Sequence, residues 1–196
     1  DGGVTGVQRC ALPIVQVRGT TRPGLYLKGP VERLTAPGLQ VALDATLDQR
    51  RADTRLRLRS DAMALTTTGT IDLGQSRFDQ FRVEAMLLTP GAIAPNLRGR
   101  SVIGAVALNG PFATPTVDYK LQAAAIGFGE TVVERVYAEG LATVNADRIL
   151  IPLKARAARV SGLNAAAGGL LTNVTINGDL AITGDQILSE NLRIRS

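Results

Sequence analysis

The sequence predicts an all-β fold: an antiparallel sheet with one aliphatic and one charged face. Three observations predict it. Apolar and polar residues alternate with period two through most of the chain, the periodicity of half-buried strands. The alternation is one-sided, as in antiparallel sheets, whereas parallel strands in α/β folds are apolar on both sides. A strand-turn-strand unit also returns, with leading glycines Gly69, Gly104, Gly140 and Gly178 spaced 35, 36 and 38 residues apart.

The opening segment stands apart. Val4-Thr5-Gly6-Val7-Gln8-Arg9-Cys10-Ala11-Leu12-Pro13-Ile14 resembles the translated reverse complement of a widely used sequencing adapter, from which Arg9 alone departs. Residues 1–14 are therefore expected to be non-native and to lie outside the fold. The domain expected is 15–196, a fragment of a repetitive β-sheet domain beginning near Val15.

From there the strands can be read in order. Leu39, Val41, Leu43, Ala45 and Leu47 oppose Gln40, Asp44, Thr46 and Asp48. Leu56 and Leu58 alternate with Arg55, Arg57 and Arg59, which makes the most basic stretch the wet face of a half-buried strand. Phe81, Val83, Ala85 and Leu87 oppose Arg82 and Glu84. Val117, Tyr119, Leu121 and Ala123 oppose Asp118, Lys120 and Gln122. Ile149, Ile151, Leu153 and Ala155 oppose Lys154 and Arg156. The repeats Gly69–Gly74, Gly104–Gly110 and Gly178–Gly184 each carry an apolar alternation, and Gly140–Asn145 is a copy with its phase shifted. A second echo, Gly29-Pro30 and Gly110-Pro111, ends a strand in each place, because proline cannot donate to a ladder. Short helical turns are expected at Pro90–Leu97 and Leu163–Leu171.

Composition excludes several chemistries. Hydrophobic residues make up 45% of the chain but aromatics only 4%, with no Trp, so the apolar face is aliphatic. There is no His, which removes the commonest general base and metal ligand. Cys10 is the single cysteine, so an internal disulfide or thiolate cluster cannot form. The acidic residues are scattered singly, without calcium-loop or phosphate-loop spacing. No enzyme, metal or cofactor is expected. The net charge of +5 lacks the aromatic interleaving of a nucleic-acid platform, so no nucleic-acid partner is expected. No run of 18 apolar residues crosses a bilayer as a helix.

At the Gly-Pro connector and the degenerate glycine repeats, the chain resembles the proteobacterial translocation and assembly module TamB and its AsmA-like relatives, including YdbH. Leu170-Leu171-Thr172-Asn173-Val174-Thr175-Ile176-Asn177-Gly178-Asp179-Leu180 carries most of the likeness. The resemblance implies an elongated, curled antiparallel sheet, a trough that carries phospholipid between inner and outer membranes or supports outer-membrane protein assembly. It further implies a periplasmic location, an inner-membrane anchor outside the fragment, and an Omp85-type outer-membrane barrel (TamA-like) as partner.

An aliphatic sheet face must be buried against something, and no long amphipathic helix is available to cover it. Phospholipid acyl chains suit such a wall because apolar transfer needs no directed bonds. The groove candidates are Leu39, Val41, Leu43, Leu56, Leu58, Val83, Val117, Leu121, Ile151, Leu153, Leu180 and Ile182. Two alternatives stay open: a β-sandwich closed over a dry core, which needs the same alternation, and a structural or adhesin-type β-repeat module with no lipid ligand, whose shorter coils would stack in parallel.

Overall fold

The structure, a computed structural model, describes residues 13–26, 28–144, 149–163, 169–183 and 186–196. Its strands are β1 (Ile14–Thr21), β2 (Leu39–Asp48), β3 (Arg51–Arg59), β4 (Met63–Asp72), β5 (Arg77–Leu87), β6 (Leu97–Arg100), β7 (Val102–Pro111), β8 (Thr116–Phe128), β9 (Thr131–Val144), β10 (Ile149–Ser161), β11 (Leu170–Thr183) and β12 (Gln186–Arg195). All belong to one antiparallel sheet, in the order β1-β2-β3-β4-β5-β7-β8-β9-β10-β11-β12, with β6 attached to β8. The sheet is elongated and curled but not closed, so the architecture is an all-β trough rather than two stacked sheets.

Short turns between sequence neighbours produce this meander. Gln49 and Arg50, both at positive φ (40° and 73°), form the two-residue link from β2 to β3, whose twist matches that of the flanking strands. Gly129, at φ 59°, helps turn β8 into β9. The repeat glycines lie inside β4, β7, β9 and β11, and each of these strands precedes its returning partner β5, β8, β10 or β12. Strand-turn-strand is thus the building unit. Only Gly104 sits near its strand's start, however; Gly69, Gly140 and Gly178 lie in the second halves of β4, β9 and β11.

Several irregularities interrupt the ladder. In β5, Gln80 (φ 48°) is an extra residue against both neighbours, because the register slips between Thr68 and Thr70 on one side and between Phe78 and Phe81 on the other. Ser101 (φ 53°) breaks what would be one long strand into β6 and β7, which pair with successive parts of β8. In β10, Pro152 has no N–H to donate, and the β9 pairing is interrupted between Leu150↔Thr143 and Lys154↔Glu139.

A small cap sits at one end of β2 to β5. It comprises a 3-10 turn (Pro23–Leu25), helix α1 (Pro30–Thr35) and a second 3-10 turn (Pro90–Ala92). Arg33 ties it together, donating to the carbonyls of Ala92 (2.8 Å) and Ile93 (2.9 Å). Buried Ser60 donates to Leu34 O (2.5 Å) and accepts from the amides of Ala62 and Met63. The helical turn expected from Pro90 ends at Ala92, and Leu97 already opens β6. Residues 164–168 of the other expected turn lie outside the described residues, and Leu170 opens β11. Gly29-Pro30 opens α1 rather than closing a strand, since proline is well placed in a helix's first turn.

Residues 1–12 of the adapter-like segment lie outside the described residues. Its last two belong to the ladder: Pro13 O accepts from Leu47 N (3.0 Å), and Ile14 pairs with Thr46.

Candidate functional site

The register carries a single aliphatic face across the sheet. Val41 pairs with Leu58 and Leu43 with Leu56; Leu58 and Leu56 then stand opposite Leu65 and Thr67. Leu65 and Thr67 face Ala85 and Val83, which face Gly104 and Val106. Gly104 meets Leu121 and Leu108 meets Val117; those residues meet Ala138 and Ala142. Ala138 faces Ala155, and on the next strand Ile151 pairs with Leu180 and Leu153 with Gly178. Eleven candidates therefore share one face: Leu39, Val41, Leu43, Leu56, Leu58, Val83, Val117, Leu121, Ile151, Leu153 and Leu180. Ile182 pairs through its backbone with Ile149, and its side chain lies outside the described residues.

Their burial is partial. Leu39, beneath the cap, is 7% exposed, and the other ten are half-buried. The fully buried positions of the sheet are mostly small, such as Ala123, Ala138, Ala142 and Ala157. Among the described residues no large side chain is wholly buried. A sandwich core packs its large aliphatics out of solvent; among the described residues no second sheet covers this face.

Aromatic side chains that sequence reasoning did not select also belong to this face. Phe78 lies 4.7 Å from Phe112 and 5.6 Å from Phe81, ring centre to ring centre, and closes the end away from the cap. Alternation places Phe81, but the Gln80 bulge returns Phe78 to the same side, and a hairpin brings up Phe112. Tyr119 spans Gly140 to donate to Pro152 O (2.6 Å). Burial raises its phenol above the ordinary value.

The opposite face is polar. Arg51 pairs with Asp79 (3.0 Å) and more loosely with Asp72 (3.9 Å), joining β3, β4 and β5. Arg156 lies 4.6 Å from the centre of the Tyr137 ring. Tyr137 donates to Glu139 (2.7 Å), which raises its own pKa. Shallow depressions open on this side; one of about 520 Å³ is lined by Gln16, Asp44, Asp53, Arg55, Thr68 and Thr70. The phase shift at Gly140 appears here as Leu141, 56% exposed opposite Asp118 on the polar side.

Fold and faces define a class: an open, two-faced antiparallel meander whose chemistry is apolar contact on one side and charge on the other. Compared with known proteins, the chain matches no family model, no curated protein and no solved structure at a significant level.

Proposed function

We propose that the aliphatic face binds phospholipid acyl chains, and that the chain is a segment of a TamB-like periplasmic protein anchored in the inner membrane. In this reading it carries phospholipids between inner and outer membranes along the trough, or supports outer-membrane protein assembly together with an Omp85-type barrel. The observation that carries the reading is the continuous aliphatic lane from Val41 to Leu180, which no second sheet covers among the described residues, with the charged residues on the reverse side. Each methylene moved from water onto such a wall contributes about 0.8 kcal/mol without any directed bond. The lane crosses the strands for on the order of 50 Å, at about 4.8 Å per strand.

A photo-crosslinker at Val41, Leu121 or Ile151 should capture lipid, while one at Lys120 or Lys154 should not. Equal capture on both faces, or on neither, would reject acyl binding and favour the structural β-repeat module.

A further inference from the structure

We infer that the cap end of the polar face, centred on Arg18, Arg57 and Arg59, docks onto an anionic phospholipid bilayer. The inference concerns the face opposite the aliphatic lane and does not rest on what that lane holds.

The charge on β3 is unevenly matched. Toward the end away from the cap, Arg51 has Asp72 and Asp79, and Arg55 stands opposite Asp44. Toward the cap no acid stands opposite β3 in the register, and exposed Asp61 follows only in the turn after Arg59. Arg57 faces Ala42 on one side and Thr66 on the other, while Arg59 faces Gln40 and Ala64. Arg18 stands across Ala42 in the same row as Arg57. The nearest acids by register are Asp44, one pair further down, and Glu84, beyond Thr66. Among the described residues none of these three arginines forms an ion pair, and all three are exposed.

The three cations sit about 7 Å apart along the strand and about 10 Å apart across two strands. That is within or near the screening length at physiological salt, so they repel one another unless an anion lies against them. Small Ala42 and Ala64 leave the guanidinium groups unshielded, and guanidinium groups bind phosphate oxygens in a bidentate manner.

The second observation is apolar and independent of charge. Met86 extends the Arg59–Ala64 row and is 42% exposed on the polar face. Leu88, also exposed, follows two residues on at the same end. Leu88 is held there by its amide bond to Ala62 O (2.8 Å). Arginines beside exposed aliphatics fit a bilayer interface, where phosphates meet one group and the acyl boundary the other. A nucleic acid would satisfy only the arginines, and no aromatic stacking group lies among them.

The test is co-sedimentation of the chain with vesicles of equal phosphatidylglycerol and phosphatidylcholine, against vesicles of phosphatidylcholine alone. Binding is expected to the anionic vesicles only and to weaken with salt. The double variant Arg57→Gln/Arg59→Gln should bind about 30-fold more weakly, from the usual contribution of a basic residue at an anionic surface. The charge-matched control Arg193→Gln/Arg195→Gln should change binding less than threefold. Met86→Ser/Leu88→Ser should weaken binding several-fold while leaving its salt dependence intact. Circular dichroism on every variant confirms an unchanged sheet. Equal loss in the control pair, equal binding to neutral vesicles, or duplex DNA bound through Arg57 and Arg59 in place of vesicles would each overturn the docking surface.

Discussion

The Tyr119 hydroxyl donates a 2.6 Å hydrogen bond to the carbonyl oxygen of Pro152, two strands away, by passing over Gly140. Pro152 interrupts the β9–β10 ladder, and a phenol from β8 takes up the carbonyl there. The glycine makes room: a Cβ at position 140 would collide with both Pro152 O and the Tyr119 ring. Three adjacent strands are thus fastened where their backbone pairing fails.

Gly140→Ala should therefore destabilise the sheet by about 2–3 kcal/mol, and Tyr119→Phe by about 1 kcal/mol. In Gly140→Ala the ring must move away, so adding Tyr119→Phe should cost little more. Chemical denaturation of the two single variants and the double measures this coupling. Strictly additive losses would mean that the two residues act separately.

The same bond has a pH signature. Because burial holds the Tyr119 pKa above its unfolded value of 10.0, its contribution is complete below about pH 10. It is lost as the pH rises through the folded value. Subtracting the Tyr119→Phe stability profile from the parent's should leave a decline confined to that alkaline range. A decline near neutrality would point to another group.

Repeat glycines that look alike in sequence should behave differently. Gly69 sits at φ 143°, and a Cβ there would meet Phe81 Cα at 2.5 Å and Gln80 O at 2.7 Å, both backbone atoms of the bulge. Around Gly104 there is nothing within 4 Å. Gly69→Ala should cost about 2 kcal/mol or more, and Gly104→Ala should be neutral or stabilising by about 0.5 kcal/mol through the unfolded chain. Thermal melts of the pair decide it, and similar losses at both sites would disprove the distinction.

These sites also show what could be read beforehand. Strands β2, β3, β5, β8 and β10 were legible because each exposes one side, and solvent imposes alternation on that side. Helix α1 was not: six residues from Pro30 to Thr35 are too few to show a period, and its start reads as a strand terminator. Nor was the β2–β3 hairpin, where Gln49 and Arg50 adopt the left-handed conformation without a glycine or asparagine. The Gln80 bulge and the Phe78–Phe112 contact depend on which strands lie side by side, which no local pattern records. For the candidate lane, composition and phase identified the face, but not how far curl alone would bury it.

The cap offers a local test. Ser60 donates to Leu34 O and receives the Ala62 and Met63 amides, so one hydroxyl joins α1 to the β3–β4 turn. Ser60→Ala leaves those groups without that oxygen and should cost about 1–3 kcal/mol. Hydrogen exchange should quicken at Ala62 and Met63 while the β9–β11 amides keep their protection. Uniform loss of protection would instead make the cap part of one cooperative core.

The last prediction concerns the two free edges. Among the described residues nothing pairs with the outer side of β1 or β12. The aliphatic face runs out to both edges, with Val17 48% exposed on β1 and Ile194 58% exposed on β12. Each step of the ladder is antiparallel, and by the strand order β1 and β12 point the same way. Joining β12 of one copy to β1 of the next would give a parallel pairing, slightly less stable per residue. Pairing like with like, β1 to β1 or β12 to β12 about a two-fold axis, gives antiparallel ladders and keeps the aliphatic faces on one side. Sedimentation velocity should therefore detect concentration-dependent dimers and longer chains built from two kinds of contact. A lysine on an edge strand blocks one kind: Val17→Lys alone, or Ile194→Lys alone, should stop growth at the dimer. The double variant should be monomeric with an unchanged circular dichroism spectrum. A monomer in either single variant would show that the edges join head to tail, since every such contact uses both edges.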